Sequence, residues 1–200
     1  MQKYIYIIII LIGYFTSHIY FNTHAQVTGD LFYGNKDNPE VFDLLHKLLP
    51  DLSHNEWIVN YLAIASLIPL ILNFSKELVM TFIGFMIVIY LIRDITINLT
   101  ILPKQSNCTM KKKEEFTLYD HLVGICYDKI FSGHFSLTLM LTLLYYSYGI
   151  ITNIPLLVGW NIINGLSIIS TRSHYTIDVV MAFFVCAFVY TNNLKIPLDF

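Results

Sequence analysis

The chain is a succession of long apolar runs separated by polar stretches. The runs at residues 4–21, 57–73, 78–102, 130–148, 154–169 and 175–190 carry few charges, and their lengths suit helices that cross a bilayer rather than strands. They predict an all-α protein of six transmembrane helices. The first run follows Lys3 and has the look of a signal peptide. No clean small-x-small site follows it, however, and it is longer than an ordinary signal core, so a retained helix is expected. Residues 22–56 and 104–129 read as polar loops. The first holds Gly29-Asp30, Gly34-Asn35-Lys36-Asp37-Asn38-Pro39 and Leu49-Pro50-Asp51, all turn-forming combinations. Within it, Val41 to Leu49 has apolar residues at helical spacing and predicts a short helix at the membrane surface. The second centres on the charge run Lys111-Lys112-Lys113-Glu114-Glu115, read as a solvated face.

Composition agrees with the pattern. Of 200 residues, 56% are hydrophobic and only 13% are charged, where a soluble domain has roughly a quarter. The mean hydropathy is +0.60. One integral membrane domain over residues 1–200 is expected, with loops too short for cores of their own. A net charge of −2 argues against nucleic acid as a partner. His18, His24, His46 and His54 have no repeated ligand spacing and read as ordinary polar residues, so neither a metal nor another cofactor is expected. Cys186 lies in an apolar run and reads as packing. Cys108 and Cys126 share one loop; in an oxidising lumen they would pair, and otherwise they are two free thiols.

Against this background the ionisable residues at the ends of apolar runs carry the chemistry. His174 and Asp178 are four apart, on one face of a helix. A carboxylate there holds one imidazole nitrogen as N–H and leaves the other to attack or to take a proton. Such a pair in an apolar segment is a functional candidate by default. A lone histidine in such a place would more often be a satisfied core residue, but forty residues earlier Ser132-Gly133-His134 opens another run. A helix N-terminus there favours an anion, and His134 reads as a general acid. In-line attack plus a proton for a departing alkoxide is what phosphoryl transfer needs, with positive charge to come from Arg93, Lys129 or Arg172. Arg93 also has structural readings: a pair with Asp94 or Asp128, or a side chain reaching the surface. With six spans, loops one, three and five share one membrane face, and every one of these residues gathers on it.

The same residues carry a family resemblance. Cys126-Tyr127-Asp128-Lys129-Ile130-Phe131-Ser132-Gly133-His134 resembles the C-x-D-x-x-[FY]-S-G-H motif of the sphingomyelin synthase family, and His174-Tyr175-Thr176-Ile177-Asp178-Val179 resembles its H-Y-T-[IV]-D-V motif. Arg93, Thr96, Thr100, Leu102 and Pro103 match its R-x-x-T-x-x-x-T-x-L-P pattern, and Leu49-Pro50-Asp51 is similar to its Pro-Asp segment. The family lies within the type 2 lipid phosphate phosphatase superfamily. The resemblance implies a six-helix membrane enzyme that moves phosphocholine or phosphoethanolamine from a glycerophospholipid to ceramide, releasing diacylglycerol. Carried over, His174 is the nucleophile forming a phosphohistidine, Asp178 activates it, and His134 protonates the leaving oxygen. Arg93, Asp128, Ser132 and Gly133 are the implied substrate-binding set. Partners are the two lipid substrates and membrane lipids, and oligomer formation is left open. Two departures touch the head-group neighbourhood: Phe135 stands where members commonly have Thr, and Ser173 where they commonly have an acidic residue.

Two alternatives stand beside this reading. A lipid phosphate phosphatase or phospholipase C-like hydrolase would pass the phosphoryl group to water. The K-x6-R-P signature of the phosphatases is missing, since no Arg-Pro pair occurs, and Arg172 is too close to His174 for their second signature. A catalytically silent lipid-binding membrane protein would not need His134, His174 and Asp178 together. Orientation is contested. Lys and Arg concentrate on the site side, which favours the cytosol. The resemblance, Lys3 ahead of the first run and the sequon Asn107-Cys108-Thr109 favour a lumenal or exoplasmic site in the Golgi, endoplasmic reticulum or plasma membrane, and that orientation is the one expected.

Overall fold

The computed structural model describes residues 2–34, 41–104, 108, 111–123 and 126–198. The sequon residues Asn107 and Thr109 and most of the Gly34–Pro39 turn lie outside them. The described residues are all-α, with helices α1 (Gln2–Tyr33), α2 (Leu44–Leu48), α3 (Trp57–Leu72), α4 (Lys76–Leu99), α5 (Leu118–Val123), α6 (Gly133–Ser147), α7 (Ile154–Ser170) and α8 (Thr176–Thr191). The chain divides into two compact units, residues 1–42 with 90–131 and residues 43–89 with 132–200.

In the first unit, α1 does not stop at Phe21 as the apolar run predicts but continues to Tyr33. The reason is a polar stripe with a four-residue period. His18, Asn22 and Gln26 fall on one face and are all buried. His18 meets Asp94 of α4, Asn22 donates to the carbonyl of His121, and the Gln26 side-chain oxygen accepts from the backbone N–H groups of Cys126 and Tyr127. A helix face that looks like loop in sequence is therefore an interior face, anchored by hydrogen bonds from His18, Asn22 and Gln26. Gly29 completes the approach: a Cβ there would fall 2.3 Å from the Tyr127 ring. Cys108 and Cys126 form a disulfide. The stretch from 111 to 123 is not wholly loop. Asp120 gathers Lys111 and both donors of Thr117, and α5 follows from Leu118.

The second unit is built around α6, which packs against α3, α7 and α8. The starts of α6 and α7 are chemically marked. Ser132 caps α6 by accepting from Phe135 N–H, and Asn153 caps α7 by accepting from Leu156 N–H, with Pro155 in the first turn. The end of α6 closes with Gly149 at φ 67°, Gly149 N–H bonding Tyr146 and Ile150 N–H bonding Tyr145, a Schellman arrangement. In α3, Pro69 interrupts the helical ladder. The buried Tyr145 hydroxyl enters the break, donating to Ser66 C=O at 2.6 Å and accepting from Leu70 N–H at 3.1 Å. The chain after α8 crosses α4 at Gly84, whose C=O accepts from Ile196 N–H.

By length and composition, Ile5–Tyr33 and Lys76–Leu99 are apolar and long enough to cross a membrane. Helices α3, α6, α7 and α8 have 15 to 17 residues, a rise of roughly 22–26 Å against a hydrocarbon core of about 30 Å. The second unit buries polar side chains among apolar ones such as Leu139, Met140 and Leu141, and turns large apolar side chains outward. Ser66, Thr138, Thr142, Ser136 and Asn164 are buried, while Ile64, Ile71, Ile162, Phe184 and Phe188 face outward.

Candidate active site

The α7–α8 connection carries His174. Helix α7 ends at Ser170, and Arg172 takes a left-handed backbone at φ 57°, unfavourable for a residue with a Cβ. Its guanidinium compensates by donating to the carbonyls of His46 at 2.6 Å and Leu49 at 3.3 Å, and it lies 3.8 Å from Asp51. Two residues on, His174 is buried, with Nδ1 3.3 Å from Asp178 Oδ2. The same oxygen accepts from Tyr175 N–H at 3.0 Å, so the carboxylate both closes the first turn of α8 and fixes the imidazole. Nδ1 as the N–H places the lone pair on Nε2. Asp178 is fully buried, and its other oxygen has no hydrogen-bond partner among the described residues.

The Ser132–His134 segment is tied to this turn through the backbone, since Ser132 N–H donates to Asp178 C=O at 3.2 Å. Ser132 is buried and Gly133 begins α6. His134 is half-buried, and its Nε2 sits 3.0 Å from Asn60 Oδ1 on α3. In this way α3, α6 and α8 bring Asn60, His134, Ser132 and Asp178 to one end of the second unit. Asn60 gives no signal in the sequence that would mark it.

A contact that sequence spacing did not reveal joins Asp43 to the site. Its two oxygens accept from Thr176 N–H and Thr176 Oγ1, each at 2.6 Å, and the carboxylate also caps α2 through His46 N–H. Burial pushes the Asp43 carboxyl upward, but the Thr176 hydroxyl and N–H and the His46 N–H outweigh it, so it ionises below the usual carboxylate range.

Arg93 and Asp128 belong to the first unit. Of the readings open for Arg93, the structure shows the pair with Asp128: Nη2 donates to Asp128 Oδ2 at 2.9 Å and to its carbonyl at 2.8 Å, and Nε donates to Phe131 C=O at 2.9 Å. Asp94, the other candidate partner, is taken by His18 at 2.7 Å. Lys129 is buried beside this segment of chain. Among the described residues no cluster of three or more His, Cys, Asp or Glu side chains is arranged to hold a metal ion.

With this geometry in place, comparison with known proteins is informative. Residues 125–194, which contain Ser132, His134, His174 and Asp178, match the family model described as PAP2 superfamily C-terminal. The chain is also 28% identical over 203 aligned residues to phosphatidylinositol:ceramide inositolphosphotransferase 2 of Arabidopsis thaliana. The alignment covers 87% of this chain and 66% of the relative, a little under two thirds of its length. Both findings agree with the motifs and support a sphingomyelin synthase-like member of the PAP2 superfamily.

Proposed function

We propose that the protein is a membrane enzyme that transfers the phospho-head group of a glycerophospholipid to ceramide and releases diacylglycerol. The observation that carries this reading is the buried His174–Asp178 pair on the first turn of α8, with Ser132 bonded to the same turn. In the proposed reaction His174 Nε2 attacks phosphorus in line, the P–O bond to diacylglycerol breaks, and His134 gives its proton to the departing alkoxide. The ceramide hydroxyl then attacks the phosphohistidine, its proton returns to His134, and His174 is released. Asp178 holds Nδ1–H throughout. At the start of α6 the Ser132 N–H is held by the Asp178 carbonyl, and the Gly133 N–H beside it is suited to a phosphate oxygen. Arg93 and Asp128 enter the proposal as an ion pair that fixes the backbone from Asp128 to Phe131.

The setting proposed is a single multi-pass membrane domain with α1, α3, α4, α6, α7 and α8 as its six spans. The outward-facing apolar residues of α3, α7 and α8 support it. The Cys108–Cys126 disulfide supports a lumenal or exoplasmic face for its loop. The donor is the finer question. The relative's name adds phosphatidylinositol to phosphatidylcholine and phosphatidylethanolamine, and makes it the first donor to try.

The test is head-group transfer by purified protein in liposomes containing fluorescent ceramide and each donor in turn, beside a His174→Ala control. A phosphosphingolipid absent from the control supports the transferase and identifies its donor. Diacylglycerol with a free phospho-head group and no ceramide product supports the hydrolase. Absence of turnover from folded protein with every donor overturns the enzymatic reading.

A further inference from the structure

The segment from Asp43 to Leu52 is laid along the α7–α8 connection like a splint. Leu52 N–H donates to Ser170 C=O at 2.8 Å, His46 and Leu49 carbonyls hold Arg172, and Asp43 holds Thr176. Between these points His46 Nε2 lies 3.1 Å from the His174 carbonyl oxygen. An acceptor there requires Nε2 to carry the proton. The His46 ring also stacks on Tyr175, with centroids 5.5 Å apart. The backbone is therefore gripped on both sides of Tyr175, at His174 by an imidazole and at Thr176 by a carboxylate. Both groups come from a region of sequence about 130 residues away and outside the matched domain.

We propose that Asp43 and His46 are positioning residues for His174: they fix the main chain that carries the nucleophile and so set the aim of its imidazole at the phosphorus. The proposal rests on the transferase reading for its chemistry. Its physical basis is that a reacting group must be held in near-attack geometry, and a displacement of about 1 Å costs on the order of a hundredfold in rate. A backbone grip of this kind acts on kcat and leaves lipid binding alone, because neither side chain has to touch the lipid.

The experiment uses the full chain in liposomes with the donors above. His46→Phe keeps a stacking ring but has no donor, His46→Gln keeps a donor, and Asp43→Ala removes the grip on Thr176. Thermal unfolding verifies that each variant is folded. The expected result is a loss of about tenfold or more in kcat for His46→Phe and Asp43→Ala, with KM within about twofold, and recovery of most of that loss in His46→Gln. An unchanged kcat, or a changed KM at constant kcat, overturns the inference while leaving the transferase reading in place. A second measurement keeps the two separable. In histidine-labelled protein, the His174 imidazole resonance, assigned by its loss in His174→Ala, should move in His46→Phe and return in His46→Gln. If the wild type turns over no donor, the transferase reading fails and this resonance decides: a shift upholds the grip on His174, and no shift overturns it.

Discussion

His18 Nδ1 stands 2.7 Å from a carboxylate oxygen of Asp94, a closer approach than the 3.3 Å between His174 and Asp178. Both pairs are buried, yet their surroundings differ. The His18 ring is boxed by Tyr14 and Tyr90, and its Nε2 accepts from the Asn22 amide, so the ring is satisfied on both nitrogens by protein. The pair is a clasp between α1 and α4. Removing one partner strands a polar group in an apolar interior. His18→Ala should lower stability by about 2–4 kcal/mol. Thermal unfolding in detergent, with Asp94→Ala and the double variant completing a cycle, should show the two losses to be far from additive.

Asp178→Asn tests the tautomer at His174. An asparagine fits the space, but with its NH2 in the place of Asp178 Oδ2 it no longer accepts from Tyr175 N–H or from His174. Whenever its amide faces His174 Nδ1 it donates where the carboxylate accepted, and the ring then carries its proton on Nε2. A nucleophile in the wrong tautomer is silent, and kcat for head-group transfer should fall on the order of 10³-fold with the fold intact. Circular dichroism unchanged beside the kinetic loss is the expected pair of observations; full activity would remove Asp178 from the mechanism.

Asp120 makes the loop around it acid-sensitive. Lys111 lies 2.8 and 2.9 Å from its two oxygens, and Thr117 donates through both N–H and hydroxyl, which together hold its pKa down at about 2. A folded pKa below the unfolded value stabilises the folded form above the ordinary carboxylate range. That contribution is lost as pH falls from about 4 toward about 2. Hydrogen exchange at residues 117–121 should accelerate over that interval, and Asp120→Asn should show fast exchange already at neutral pH.

The disulfide should matter to the first unit. It closes a loop of 18 residues, for which chain-entropy arguments give about 3 kcal/mol. Cys108→Ser should therefore lower the unfolding temperature. Mass spectrometry after alkylation without reductant should find Cys108 and Cys126 blocked in the wild type.

Much of the second unit was readable in the sequence because its helices announce their ends. The runs starting at Trp57, Ile154 and Tyr175 match α3, α7 and α8 to within a residue, aided by Asn153-Ile154-Pro155 and by Asp178 at the third position of its helix. The His174–Asp178 contact was readable for the same reason, since a spacing of four has one geometric meaning on a helix. The far half of α1 was not readable. An apolar-run criterion stops at Asn22, whereas the protein bonds Asn22 and Gln26 to groups about a hundred residues away. The grip of Asp43 and His46 was hidden likewise, because local spacing reveals only that Asp43 caps α2. The choice of Asp128 over Asp94 for Arg93 turned on His18, a residue that looked ordinary.

A helix of 32 residues measures about 48 Å, while the proposed bilayer's hydrocarbon layer is about 30 Å thick. Even with tilt, α1 is longer than the layer that would contain it. Its last three turns, from Asn22 to Tyr33, would then stand among and beyond the head groups, with Gln26 holding the chain at Cys126 and Tyr127 at that level. In the proposed bilayer the first helix would work as a depth gauge, fixing how far from the lipid tails the disulfide-bearing loop rides.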